Sequence, residues 1–172
     1  MGFTGLDRCD FSRSNANGRA RTFINTGFAH TGVRSAILDQ LHYSTNTTTD
    51  SLITTFNLSA YSTADRIWLN FYYRNQGNDS SFPGNRVWIR GNDQAAWIPV
   101  YTLDASFEKI GAYQPSSNID ITSALSSAIP SQTVSSSFQI KFGQQGHTSA
   151  NSAVPDGNLD DEDLEHVEAV VD

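Results

Sequence analysis

The sequence predicts an all-β, antiparallel protein, and three observations carry the prediction. Aromatic and β-branched residues recur at strand spacing with Gly, Pro, Asn, Ser and Thr clusters between them. Long charged runs with helical periodicity are missing. The clearest stretch runs from Arg66 to Asn75, where Ile67, Leu69, Phe71 and Tyr73 alternate with Trp68, Asn70, Tyr72 and Arg74. Successive strand side chains point to opposite sides, so the first set forms a wholly apolar or aromatic face and the second mixes rings with polar groups. That pattern belongs to a central antiparallel strand with one face on a core.

Taken in order, residues 1–18 show no clear periodicity and end in a Ser-Asn-Ala-Asn-Gly loop signature. Arg21 to Asn25 is expected as a short strand and Arg34 to Tyr43 as another, the latter with Asp39 as an acid within an apolar run. Ser44 to Asp50 reads as a polar turn, and Leu52, Thr54, Phe56 and Leu58 mark one face of a half-buried strand. After the Arg66–Asn75 strand comes a long loop over 75–86, of a length that often carries function. Val87 to Arg90 and Trp97 to Tyr101 form a hairpin around Gly91-Asn92-Asp93-Gln94, and Pro99 makes the second an edge strand or a bulged one. Phe107 to Tyr113 is expected to be extended and to continue through Ile119–Thr122 after a break at Pro115. Residues 122–129 give the one helical turn, capped by Thr122 and stopped by Pro130. Ser136 to Gly143 alternates with Phe138, Ile140 and Phe142 on one side, a second long loop covers 144–157, and part of Leu159–Val171 forms a last strand. The expectation is one domain over 1–165, with 166–172 as an acidic extension or the start of a linker. No repeat of fixed period points to a propeller or solenoid.

The net charge of −7 is concentrated at one end. Residues 156–172 hold eight acids and no Lys or Arg, which leaves ten acids and eleven bases in the rest. No basic stripe marks a nucleic-acid surface, and no apolar run suits membrane insertion. The single cysteine, Cys9, excludes a disulfide framework and a cysteine-rich metal knuckle. Met1-Gly2 leads straight into folded-looking sequence, so the expectation is a piece of a longer chain whose targeting signal lies elsewhere.

Several landmarks then stand in sequence order: Cys9-Asp10-Phe11, Gly32 through Asp39, Phe71-Tyr72-Tyr73, Gly91 through Trp97, Phe138 through Phe142, and Asp156 through Asp161. Over roughly residues 9–165 this resembles a MAM-type domain, in particular the bacterial relatives found in large secreted and cell-surface proteins. The chain departs from the animal MAM pattern in lacking paired cysteines and in placing Glu162-Asp163 after the Asp-Asp pair. The resemblance implies a two-sheet antiparallel jelly-roll sandwich used for recognition or adhesion, without catalysis, in an extracellular or cell-surface setting.

The resemblance also implies a structural Ca²⁺ between an early strand and the last one. The candidate ligands are Asp39, Asp160 and Asp161, joined by Asp10, because a hard cation needs several oxygen donors. Those acids equally suit a strand end and a solvated tail. A ligand platform is expected from Trp68, Tyr72, Trp88 and Trp97, with Arg74 and Asn75 as hydrogen-bonding partners. Aromatic faces stack on sugar C–H surfaces while polar groups set orientation. The same rings also serve to pack or cover a sheet face, and the sequence leaves both readings open.

His30, His42, His147 and His166 show no metal-binding spacing, and no G-x-S-x-G elbow occurs. Asp79, Asp93, Asp104 and Glu108 lie near loops without a pocket to set them as a glycosidase pair. The function expected is therefore a non-catalytic recognition module of a bacterial secreted or cell-surface protein. Its ligand is a glycan or a surface protein, met by the loops at 75–86 and 144–157, with neighbouring domains of the same chain as further partners. The alternative is an ancillary domain beside the catalytic domain of a secreted protease or glycoside hydrolase.

Overall fold

The structure, a computed structural model, describes residues 6–13, 18–24, 30, 34–40, 48–75, 85–103, 113–146 and 165–170. Within them the chain order is β1 (Leu6–Arg13), β2 (Gly18–Ile24), β3 (Arg34–Gln40), β4 (Thr48–Phe56), β5 (Trp68–Asn75), β6 (Arg86–Arg90) and β7 (Ile98–Thr102). There follow β8 (Gln114–Pro115), β9 (Ile119–Asp120), α1 (Ile121–Ser126), β10 (Phe138–Gly146) and β11 (Glu165–Val170). They build a two-sheet antiparallel jelly-roll sandwich. One sheet has the order β1-β4-β10-β6-β7, the other β2-β3-β11-β5-β8, with β9 also paired to β5. Every pairing is antiparallel.

The core lies between the sheets and follows the alternation in sequence. Leu69 and Phe71 of β5 are fully buried, and Tyr73 nearly so. Leu52 and Phe56 of β4, Val87 and Ile89 of β6, and Phe138, Ile140 and Phe142 of β10 come from the facing sheet. The contact between layers is aromatic. The Phe71 ring meets Phe142 edge-on at 5.3 Å and Tyr101 of β7 at 5.4 Å between centroids. Such edge-to-face pairs add roughly 0.5–1.5 kcal/mol each beyond the area they bury.

Two local signals in the sequence are resolved differently by the chain. The helix is capped by Asp120, whose carboxylate accepts from the Ser123 N–H at 2.8 Å, and not by Thr122. The Thr122 hydroxyl instead donates to the Asp65 carbonyl at 2.8 Å and accepts the Ile67 N–H at 3.1 Å, tying the helix to the entry of β5. The second difference is β1, a strand in a stretch without visible alternation. Leu6 pairs opposite Phe56, Cys9 opposite Thr54 and Phe11 opposite Leu52, with a register shift between Leu6 and Arg8. That bulge changes the phase of the pattern, so period-2 reading fails there.

Other boundaries move by a few residues. Thr48–Asp50, expected in a turn, open β4, and Gln144–Gly146, expected in a loop, close β10. Pro115, expected as a break, pairs with Tyr72 beside Gln114 and Tyr73, the two residues forming β8. β7 lies at the edge of its sheet, and the register jumps from Val87–Tyr101 to Trp88–Pro99, so Pro99 marks both an edge strand and a bulge. β11 sits between β3 and β5, which carries 166–170, expected in an extension, into the middle of a sheet. The extended segment expected at 107–112 and the loops at 76–84 and 147–157 lie outside the described residues.

Candidate functional site

The outer face of the five-stranded sheet is set by the same alternation that builds the core. Because Val87 and Ile89 point inward, Arg86, Trp88 and Arg90 point out. Because Phe138, Ile140 and Phe142 point inward, Gln139 and Lys141 point out. Register then fixes neighbours across strands. Asp10, Ile53, Lys141, Trp88 and Pro99 form one row across the sheet, and Arg8, Thr55, Gln139 and Arg90 the next.

Within these rows the side chains interlock. The Lys141 ammonium lies 4.3 Å from the Trp88 ring centroid and 4.6 Å from that of Trp97. The Arg90 guanidinium lies 4.2 Å from the Trp97 centroid. Arg90 is held in place by hydrogen bonds from Nε, at 2.7 Å, and Nη2 to Gln139 Oε1, and from Nη1 to the Ala95 carbonyl at 3.4 Å. Gln139 in turn donates through Nε2 to the Thr55 hydroxyl at 2.9 Å. A cation over an indole face is worth about 0.5–1 kcal/mol when exposed and more when desolvated. Burial pushes the Lys141 pKa below its ordinary value, and the charge of Arg90 pushes the same way. Burial lowers Arg90 as well, opposed by the charge of Asp93.

The hairpin that presents Trp97 is anchored to the segment before β10. Gln132 accepts the Gly91 N–H at 2.8 Å and donates to the Ala96 carbonyl at 2.9 Å, and Ser135 donates to the Gly91 carbonyl at 2.8 Å. A side chain at Gly91 would run into the Thr133 carbonyl oxygen, so the close approach requires glycine there. The result is a braced turn that fixes one wall of the site.

The platform expected from Trp68, Tyr72, Trp88 and Trp97 is divided between opposite faces of the sandwich. Trp88 and Trp97 come together on the outer face of the five-stranded sheet. Trp68 and Tyr72 lie on the outer face of the other, since Leu69, Phe71 and Tyr73 point into the core. Tyr72 has one ring face taken by His30, stacked at 3.7 Å with 13° between planes, and His30 meets Tyr113 edge-on at 5.3 Å. Trp68 remains 37% exposed near the end of β5. Arg74 and Asn75 are placed by their backbone in β5, opposite His166 and Glu165 of β11. Sequence reasoning missed Lys141, Arg90 and Gln139 as members of the Trp88–Trp97 group. The signal was there in the outward phase of Phe138–Phe142, but nothing local says that Lys141 lies beside Trp88.

Asp10 lies on β1 of the five-stranded sheet and Asp39 on β3 of the other, opposite Arg19. Asp160 and Asp161 lie outside the described residues. Among the described residues no group of three or more His, Cys, Asp or Glu side chains is gathered as metal ligands. Asp50 on the inner face of β4 is fully buried, an acid that sequence reading had placed in a turn.

No family model matches the chain, and no curated protein matches it. Two solved structures are similar in fold. One is the module TmCBM61, a carbohydrate-binding module, in complex with β-1,4-galactotriose. It has 9% identity and a TM-score of 0.52, with 97% of this chain and 88% of that one covered. The other is the enzymatically active domain of bacteriophage CBA120 tailspike protein 4. It has 9% identity and a TM-score of 0.53, and 96% of this chain covers 19% of that one. At this identity the likeness is one of fold, a β-sandwich in each case.

Proposed function

We propose that the chain is a non-catalytic carbohydrate-binding module that meets its glycan on the outer face of the five-stranded sheet. The observation that carries the reading is the pair Trp88 and Trp97, brought together by β6 and its hairpin and flanked by Lys141, Arg90 and Gln139. Aromatic surface with a few fixed polar groups is what sugar recognition needs, and these groups stand on paired strands and a hydrogen-bonded hairpin. Support also comes from a sandwich of similar fold crystallised with a galactotriose, and from the recognition role that the MAM resemblance implies. This reading moves the ligand surface from the loops at 75–86 and 144–157 to the sheet, with Trp68 outside it.

Affinity electrophoresis through a panel of plant, algal and bacterial polysaccharides tests the proposal. Retardation by at least one polymer is expected, lost in Trp88→Ala and Trp97→Ala variants whose melting curves stay cooperative. Migration unchanged by every polymer rejects it.

A place in a bacterial secreted or cell-surface protein, and a structural Ca²⁺ on Asp39, Asp160 and Asp161, belong to the same proposal; Asp10 drops out of the ligand set, since it stands in the outer-face row of the opposite sheet. Calcium titration by calorimetry checks the ion: heat of binding and a Tm lowered by EDTA are expected, and neither appears if the acids are simply solvated. The second reading, an ancillary domain of a larger secreted hydrolase, is favoured by the fold's occurrence as 19% of an enzymatic tailspike chain.

A further inference from the structure

We infer that the glycan taken by this site is acidic, with its carboxylate or sulfate received by the Lys141 ammonium between Trp88 and Trp97. The inference rests on the carbohydrate-binding reading and narrows it to a class of sugar. Lys141 stands on β10, the central strand of its sheet, with Ile53 and Trp88 as its register neighbours on either side. Neither carries a charge. The nearest acid in the row is Asp10, two strands away, or about 9–10 Å at ordinary strand spacing. Among the described residues Lys141 makes no ion pair and no hydrogen bond, only its two indole contacts.

The second cation sharpens the argument. Arg90 shares the Trp97 ring with Lys141, so two like charges are gathered on one indole. The Arg90 hydrogen bonds go to neutral acceptors, Gln139 and the Ala95 carbonyl. Asp93, the acid whose charge Arg90 feels, is exposed in the hairpin and accepts from the Ser137 hydroxyl at 3.3 Å. Among the described residues, a partly desolvated cation pair on the outer face is thus left short of negative charge, which an anionic group on a ligand would supply. A neutral sugar faces the opposite situation, because it must compete with the cations for the indole faces. Outside the acidic segment 156–172 the chain carries ten acids and eleven bases, with no basic stripe, so binding of a polyanion reports a local site.

Isothermal titration of the full chain with two matched pairs of polymers tests this. One pair is polygalacturonate and its fully methyl-esterified form, and the other is dextran sulfate and dextran. The charged member of one pair is expected to bind about tenfold tighter or more than its neutral counterpart, as a charge-assisted contact gives. The pair that responds distinguishes carboxylate from sulfate. Lys141→Met, which keeps the stem on the indoles, is expected to bring the two members of that pair to parity. Lys141→Arg retains the preference.

Equal binding of charged and neutral members, or a preference that survives in Lys141→Met, overturns the inference and leaves the carbohydrate-binding reading standing. Failure to bind either pair, together with a blank polysaccharide panel, overturns both. A panel positive for neutral polymers alone, with Lys141→Met unchanged, overturns only the acidic assignment.

Discussion

At the scale of single residues, Lys141 does most to define the site, and its titration has a definite sign. Its pKa is lowered from 10.5, first by burial and then by the charge of Arg90. Between the lowered folded value and the unfolded one, the unfolded chain holds the proton and the folded chain does not. Folding stability therefore rises with pH through that window, and the penalty is fully present below it. Anion binding runs the other way, because it needs the ammonium. Affinity for the acidic polymer is expected to be full below the lowered pKa and to fall as pH rises through it, while affinity for a neutral polymer stays level. Titrations over an alkaline pH series check this, and the Lys141→Met variant is expected to lose the dependence. Among the described residues the groups around the ammonium are Arg90, Trp88, Trp97 and Ile53, with Asp10 farther along the row and Asp93 beyond Arg90, so no described histidine contributes to the profile.

At the scale of elements, the short helix and the β6–β7 hairpin show how polar residues fix what apolar alternation leaves loose. α1 spans six residues, too few to be stable alone, and holds through its buried Ile121 and Leu125 and its cap. Replacing Asp120 by Ala is expected to cost about 0.5–2 kcal/mol in urea unfolding, with Asp120→Asn close to wild type, since either side chain can accept the Ser123 N–H. If Asp120→Ala proves neutral while Thr122→Ala does not, the cap assignment is wrong.

The Thr-Ser-Ala-Leu-Ser-Ser run made a helical turn legible from sequence, but the cap lies at Asp120, two positions before the Thr122 that the pattern suggests. Thr122 is engaged by Asp65 and Ile67, 57 and 55 positions away, and no local rule chooses it for that task. β1 was illegible for a different reason, the bulge after Leu6. The hairpin was legible to within a residue at its strand ends, and Pro99, which suggested an edge strand or a bulge, marks both.

At the scale of the whole molecule, the sandwich is held by what passes between its sheets. Phe71 on β5 touches Tyr101 and Phe142 on the opposite sheet, and Tyr73 reaches the Tyr101 hydroxyl at 3.4 Å. Phe71→Ala is expected to destabilise by about 3–5 kcal/mol, and a double-mutant cycle with Phe142→Ala to show coupling of about 0.5–1.5 kcal/mol. Chemical unfolding of the single and double variants measures both. Additive losses would mean that the edge-to-face pair contributes nothing beyond buried area.

Along β5 and β10 the sequence by itself determined which residues face inward, because the pleat imposes a period of two and burial selects apolar residues at that period. Ile67, Leu69, Phe71 and Tyr73 were readable as core for that reason, and all are buried. The tertiary structure alone decided which outward residues meet. Trp68 and Trp88 look equivalent in sequence, yet they end on opposite faces of the sandwich. Lys141 and Trp88, 53 positions apart in the numbering, end side by side. Strand order and register depend on pairings between distant segments, and no local pattern encodes them.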